Sequence, residues 1–287
     1  MVNALSIDLE YWWCSEFLKK YLPEDKNELD DLIFDSLYPL LELLDRHNTK
    51  ATFFVLGMVA EKYPQLIEEI YKKGHEIASH AYSHTTLYEL GKEKFEEEIR
   101  KSLDIIGKYN PIGFRAPSFS INNSTKWAFE VLEKYGFRYD SSIFPVKTML
   151  YGVPNASLCI YKPSKDDVAK HDPNGQIIEF PLTVFRCLGK NIPIAGGFYL
   201  RVLPLRFLRF GINRVNRDRP AIIYIHPWET HSQTIRLKMP LFPRFVTYYG
   251  IDSALKKLEA LLKELKFKPI RELLDEIKSD KEKLEKV

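Results

Sequence analysis

The chain has 287 residues, 45% of them hydrophobic, enough to bury one sizeable core. Its 42 lysines and arginines against 39 acidic residues leave a formal charge of +3, and no basic stripe with interleaved aromatics is present, which argues against a nucleic-acid partner. The cysteines Cys14, Cys159 and Cys187 are too scattered for a disulfide framework or a CxxC metal clip, a pattern that suits a reducing compartment.

The first residues carry neither a basic nor an apolar leader region, and no run reaches the roughly 20 apolar residues of a membrane span. A cytoplasmic protein without a transmembrane segment is therefore expected. Val2 to Leu9 reads as a buried strand ending in Asp8-Leu9-Glu10. Side chains two apart on a strand share a face, so Asp8 and Glu10 project together. Two carboxylates side by side are costly to bury without a cation between them.

Asp30 to His47 has helical periodicity interrupted by Pro39, Lys50 to Gly57 reads as a second strand, and Val59 to Lys73 as an amphipathic helix stopped by Gly74. Next come Ile77-Ala78 and the pair His80 and His84, four residues apart. Neutral imidazole is the commonest side-chain ligand for divalent metals, and a strand turning into helix here would let both rings reach one ion. His75 precedes the apolar pair, at the strand's other end, and is set aside.

Glu93 to Tyr109 is helical, Pro111 to Ser118 runs from strand into loop with Arg115 at its end, Thr125 to Tyr135 is helical, and Phe137 to Ser141 is a short strand. Residues 145–200 change character: proline, glycine and aromatics are frequent and helical periodicity fades. They read as an inserted antiparallel region, with strand pieces at Ser157 to Tyr161 and Gln176 to Pro181, that walls a groove. Gly196-Gly197 suggests backbone passing close to something. Pro204 to Arg217 returns to helix, and Arg219 to Ile225 is an apolar strand ending on His226. Asp252 to Leu265 is a helix capped by Asp252 or Ser253, followed by a last strand at Phe267 to Ile270 and a last helix at Arg271 to Lys278. No linker splits residues 1–275, read as one domain with 145–200 inserted, and 276–287 reads as a charged tail.

Strand–helix alternation of this kind favours a parallel sheet or barrel, whose sites gather at the C-terminal ends of the strands. Asp8, Glu10, His80, His84, Arg115 and His226 all fall at such ends. A carboxylate with two histidines makes a three-ligand divalent site, and a second carboxylate and a further histidine can serve as general base and acid.

The set resembles the polysaccharide deacetylase family, also called NodB-homology or carbohydrate esterase family 4. The resemblance rests on Ala51-Thr52-Phe53-Phe54-Val55-Leu56-Gly57, His80-Ala81-Tyr82-Ser83-His84, Phe114-Arg115-Ala116-Pro117, Tyr139-Asp140-Ser141-Ser142 and Ile225-His226-Pro227, in family order over residues 4–229. It implies a distorted, incomplete (β/α)7/8 barrel and metal-dependent removal of N-acetyl groups from a carbohydrate substrate. Ser6-Ile7-Asp8-Leu9-Glu10 departs from the usual adjacent aspartates and is similar to a subgroup with an Asp-x-Glu first motif. On that resemblance Glu10, His80 and His84 hold one divalent metal ion, zinc before cobalt, nickel or manganese. Asp8 is the base, Arg115 its tether and His226 the acid, while a backbone N–H near Ser118 helps the oxyanion. Ser118 stands where the family has tyrosine, which alters a groove wall. Tyr11, Ser118, Tyr199 and Trp228 are the candidate substrate contacts. Two other readings are compatible with the fold: hydrolysis of small cyclic amides, as in allantoinase-like relatives, and glycan binding without turnover. A homo-oligomer is also compatible with the sequence.

Overall fold

The computed structural model describes residues 1–25 and 29–279. Its frame is a curled sheet of short parallel strands. β1 (Asn3–Leu9) pairs in parallel with β2 (Thr52–Val55), which pairs with β3 (Glu76–Ser79), β4 (Gly113–Phe114), β5 (Tyr139–Asp140) and β6 (Ile178–Glu179) in turn. On β1, β9 (Ile222–Ile225) pairs at Ala4 to Ile7 and β10 (Phe267–Lys268) at Asn3 and Ala4. Between β6 and β9 the ring is completed by loop contacts. The Thr183 amide donates to the Ile222 carbonyl at 3.2 Å, and the Ile222 amide donates to Thr183 Oγ1 at 2.6 Å. This is a distorted, incomplete (β/α) barrel.

Every residue of β1, β2, β3 and β9 is buried, as expected of parallel strands covered on both faces. The covering helices are α1 (Ile33–Arg46), α2 (Gly57–Lys62), α3 (Pro64–Lys72), α4 (Leu87–Ile106) and α5 (Ala128–Lys134), then α6 (Gly197–Val202), α7 (Leu205–Val215), α8 (Leu241–Tyr248), α9 (Ile251–Glu264) and α10 (Ile270–Ser279). Among the described residues no helix is long and apolar enough to cross a membrane.

Several boundaries differ from the sequence reading. The helix expected over Val59 to Lys73 is two helices, because Tyr63 leaves helical geometry just before Pro64, as residues before proline tend to. α1 starts at Ile33 and runs through Pro39. α9 is capped by Gly250 at φ 75°, a left-handed conformation that Asp252 and Ser253, inside the helix, do not supply. In the 145–200 region, Gln176 to Pro181 contributes β6, which joins the main sheet in parallel, not as part of an antiparallel insertion. Ser157 to Tyr161 forms no strand; Tyr161 makes a single antiparallel bridge to Glu179. The antiparallel pair lies later, between β7 (Val184–Cys187) and β8 (Lys190–Pro193). Residues 276–279 of the expected tail belong to α10, and 280–287 lie outside the described residues.

Candidate active site

Four of the expected residues converge because they end or follow parallel strands on one rim. Asp8 sits opposite Phe54 near the end of β1, Arg115 directly follows β4, and His226 directly follows β9. His80 directly follows β3, but the chain does not turn into helix there. Ala81 and His84 adopt φ of 60° and 59°, a left-handed geometry uncommon for such residues and maintained only where surroundings impose it. Here they do. The Gly57 amide donates to the Ala81 carbonyl at 2.9 Å, and the Tyr82 and Ser83 amides both donate to Glu98 Oε2, at 3.0 and 2.7 Å. A capping box between Thr86 and Glu89 then starts α4. The loop, not a helix, brings the two rings together, with centroids 5.3 Å apart.

Asp8 and Arg115 are a buried ion pair, exposed by 1% and 0%. Arg115 Nη1 donates to Asp8 Oδ1 at 2.5 Å and to Ser6 Oγ at 2.9 Å. Its Nε and Nη2 donate to the Ser141 carbonyl and Ser141 Oγ, both at 2.9 Å, and its guanidinium lies 4.1 Å from the centre of the Phe54 ring. With all these donors used, the guanidinium has one orientation, and Asp8 meets a fixed positive charge. Behind it, Ser142 Oγ donates to Asp140 Oδ1 at 2.6 Å and accepts from the Ala116 amide at 2.8 Å, which pins the loop after β4.

His226 faces the carboxylates from the other side. Its Nε2 is 3.8 Å from Asp8 Oδ2 and 3.5 Å from Glu10 Oε1. Its Nδ1 is 2.7 Å from Glu229 Oε2, and Glu229 Oε1 accepts from Arg201 Nη2 at 2.9 Å. Burial works against the imidazolium, yet Glu10, Glu229 and Asp8 outweigh it and push the His226 pKa up to about 9. Burial would also raise the Glu229 carboxyl, but Arg201 and His226 hold it below its ordinary value. The sequence reading did not single out Glu229 or Arg201. The spacing His226-Pro227-Trp228-Glu229 was the available signal, because three residues on puts the carboxylate back over the histidine in the 3₁₀ turn Pro227–Thr230. Gly196-Gly197 also finds its reason here: a Cβ on Gly197 would run into the Glu229 carboxylate, and one on Gly196 into the Tyr224 ring.

Glu10, His80 and His84 form the candidate metal cluster. His80 Nδ1 is 2.7 Å from the Arg115 carbonyl. A carbonyl only accepts, so Nδ1 donates to it, which fixes the ring and leaves Nε2 turned toward Glu10, as metal-binding histidines are oriented. His80 Nε2 and His84 Nε2 lie 3.6 and 2.7 Å from Glu10 Oε2. That oxygen is buried and receives no well-formed hydrogen bond. Donors sharing a tetrahedral zinc at about 2.0–2.1 Å stand about 3.3 Å apart; the His80 spacing is near that and the His84 spacing shorter, and one carboxylate oxygen with two imidazole nitrogens is a donor set of the kind a divalent ion takes. Burial alone would raise the Glu10 carboxyl, but His84 and His226 hold it well below its ordinary range. Cys14, also passed over in the sequence reading, stands in the same place: one donor atom each from Glu10, Cys14 and His84 lie within 4.8 Å of one another.

Asp8, Glu10, Cys14, His80, His84, Arg201, His226 and Glu229 line one cavity, with Phe17, Ser118, Leu150, Phe198 and Trp228 among its other walls. Of the expected substrate contacts, Ser118 and Trp228 are there. Ser118 has φ 51° and donates to Glu16 Oε1 at 2.6 Å, while Trp228 stacks on His226 with centroids 5.6 Å apart. Tyr11 and Tyr199 do not line the cavity. Tyr11 is buried against Trp13, centroids 4.5 Å apart, and Tyr199 packs edge-on against Phe144, so Phe198 takes the wall position expected of Tyr199. His75 lies at the opposite end of β3, where its Nδ1 accepts from the Ala51 amide at 3.2 Å.

Residues 29–139 match the family model described as polysaccharide deacetylase, and residues 141–275 match a domain of unknown function, DUF3473. A peptidoglycan-N-acetylglucosamine deacetylase of Bacillus cereus is 39% identical over 95 residues, 32% of this chain and 34% of that protein. Chitin deacetylase 1 of Saccharomyces cerevisiae is 36% identical over 87 residues, 29% of each. The chain thus spans about a third of the length of the curated relatives it matches. Among solved structures, a Mycobacterium smegmatis protein assigned to the polysaccharide deacetylases superposes over 98% of this chain and 92% of its own, with TM-score 0.61 at 17% identity. An allantoinase superposes over 91% and 82%, with TM-score 0.56 at 14% identity. At these identities the structural likeness speaks for the fold.

Proposed function

The chain belongs to the polysaccharide deacetylase family, and from that premise we propose that it is a metal-dependent hydrolase removing N-acetyl groups from N-acetylated sugars of a glycan. The observation that carries this reading is the opposition of Asp8 and His226 beside the Glu10–His80–His84 cluster. One is a carboxylate paired with Arg115, the other an imidazole paired with Glu229. When bound, a divalent ion, zinc first and cobalt, nickel or manganese after it, would supply a Lewis acid for the amide oxygen.

The remaining roles fall to the chain itself. Asp8, paired with Arg115, accepts the proton of the attacking water. His226, whose imidazolium is favoured by Glu229 and the neighbouring carboxylates, donates to the leaving amine. Glu229 and Arg201 fix its ring. The backbone near Ser118 offers an N–H toward the developing oxyanion. The cavity opens to the surface, with Phe17, Leu150 and Phe198 among its walls; on this reading the acetamido group enters it and the sugar ring packs against those side chains.

The other reading, hydrolysis of a small cyclic amide, draws on the allantoinase likeness, which bears on fold alone, and gives Glu10, His80 and His84 no task. A substrate panel separates the two. Acetate release from N-acetylglucosamine oligomers that chelator abolishes and zinc restores is the expected result. Turnover of cyclic amides indifferent to chelator, with no acetate release, would reverse the assignment.

A further inference from the structure

We propose that Cys14 is a further ligand of the divalent ion, so that the site is a mixed sulfur, nitrogen and oxygen centre and not the Glu10–His80–His84 set alone. The inference rests on the reading above that this cluster holds a metal.

Three observations support it. Directly after β1, Trp12 to Cys14 forms one 3₁₀ turn, closed by the Cys14 amide donating to the Tyr11 carbonyl at 2.9 Å. That turn folds residue 14 back over residue 10, which is why a side chain four positions beyond Glu10 shares its cavity. Next, Cys14 forms with Glu10 and His84 a set of donor atoms all within 4.8 Å, and all three residues are more than nine-tenths buried. Finally, Glu10 Oε2 is buried without a well-formed hydrogen bond, although His84 Nε2 stands 2.7 Å and His80 Nε2 3.6 Å from it. Buried polar atoms are nearly always satisfied, and exceptions in a pocket point to a missing ion. His80 Nε2 lies 3.6 Å from Glu10 Oε2 but outside the group that Cys14 joins.

The consequence is selectivity. Thiolate is a soft donor that favours zinc or cobalt over magnesium or manganese. It also ties metal retention to the redox state of Cys14, since only the thiolate is a good ligand.

Cobalt titration of the metal-free full chain tests this, in a background with Cys159→Ser and Cys187→Ser. The expected result is a near-ultraviolet sulfur-to-cobalt charge-transfer band that saturates stoichiometrically. In Cys14→Ser, cobalt should still bind, with affinity down by about tenfold or more, and the band should be gone. Cobalt bound without that band, or a band surviving in Cys14→Ser, overturns the inference and leaves the metal site standing. Failure to bind cobalt at all overturns both. In case Cys14→Ser does not fold, alkylation of the unsubstituted chain gives an independent readout, with exposed Cys159 as internal reference. Zinc should slow alkylation of Cys14 and leave Cys159 unchanged; equal rates with and without zinc refute the ligand role.

Discussion

Replacing Arg115 by methionine tests whether the charge behind Asp8 is structural as well as functional. Arg115 is fully buried and makes four hydrogen bonds, one of them to the Asp8 carboxylate. Methionine fills much of the volume but strands Asp8, exposed by only 1%, without its counter-charge. Breaking a buried pair by removing one partner costs about 3–5 kcal/mol, mostly the penalty of the unpaired charge. A domain is stable by about 5–15 kcal/mol in total, so Arg115→Met should lose about a fifth of it or more and melt roughly 10 °C lower. Urea unfolding followed by circular dichroism measures the loss directly. Adding Asp8→Asn to the same chain removes the stranded charge and should recover about 1–3 kcal/mol, a coupling that only interacting residues show. A loss below about 1 kcal/mol, or a double variant no more stable than Arg115→Met, would refute the buried-pair reasoning.

Three further outcomes follow from other parts of the site and its frame. In the metal-free protein, His226 should titrate near 9 by NMR, and Glu229→Gln, which removes one of the anions stabilising the imidazolium, should lower that value by about one unit; an unchanged titration would deny Glu229 its role. Gly197→Ala should leave the fold intact but displace Glu229, reducing kcat on the order of 10²-fold with little change in KM, as misplaced catalytic groups do. His75, its pKa depressed by burial to about 4 from an ordinary 6.5, contributes stability fully present above pH 6.5 and lost as pH falls toward 4. Unfolding at pH 5 should therefore cost about 2 kcal/mol less than at pH 7 on this account, and His75→Gln should flatten that slope.

What the sequence discloses is the rim. Strand ends are visible as apolar runs that stop at Asp8, Ser79, Phe114 and Ile225, and parallel pairing then fixes which end carries chemistry. What it hides is everything decided by turns. His80 and His84 suggest a helix by spacing, yet Ala81 and His84 take left-handed backbone because Glu98 and the α2 amides hold the loop. Cys14 and Glu229 were passed over for the same reason: 3₁₀ turns fold them back onto Glu10 and His226, and nothing in apolar periodicity announces such a turn. Tyr11 and Tyr199 are the converse case. An aromatic beside a candidate site residue looks like a substrate platform, and Trp228 near His226 does line the cavity, but Tyr11 is buried in the core and Phe17 and Phe198 are among the cavity's other walls. Within 145–200 the expected antiparallel pair is present as β7 and β8, but β6 joins the parallel sheet instead: it is only two residues long and its partner, β5, lies almost forty residues earlier, a pairing no local pattern encodes.

The most direct test of the account couples metal content to turnover in one preparation. Wild-type chain is stripped with chelator and titrated with zinc while bound metal is counted by elemental analysis and acetate release from N-acetylglucosamine oligomers is followed. The account predicts that activity rises in step with zinc to one ion per chain, and that His80→Ala, folded by circular dichroism, neither retains that ion nor releases acetate. Acetate release by the stripped enzyme, or full activity in His80→Ala, would contradict it.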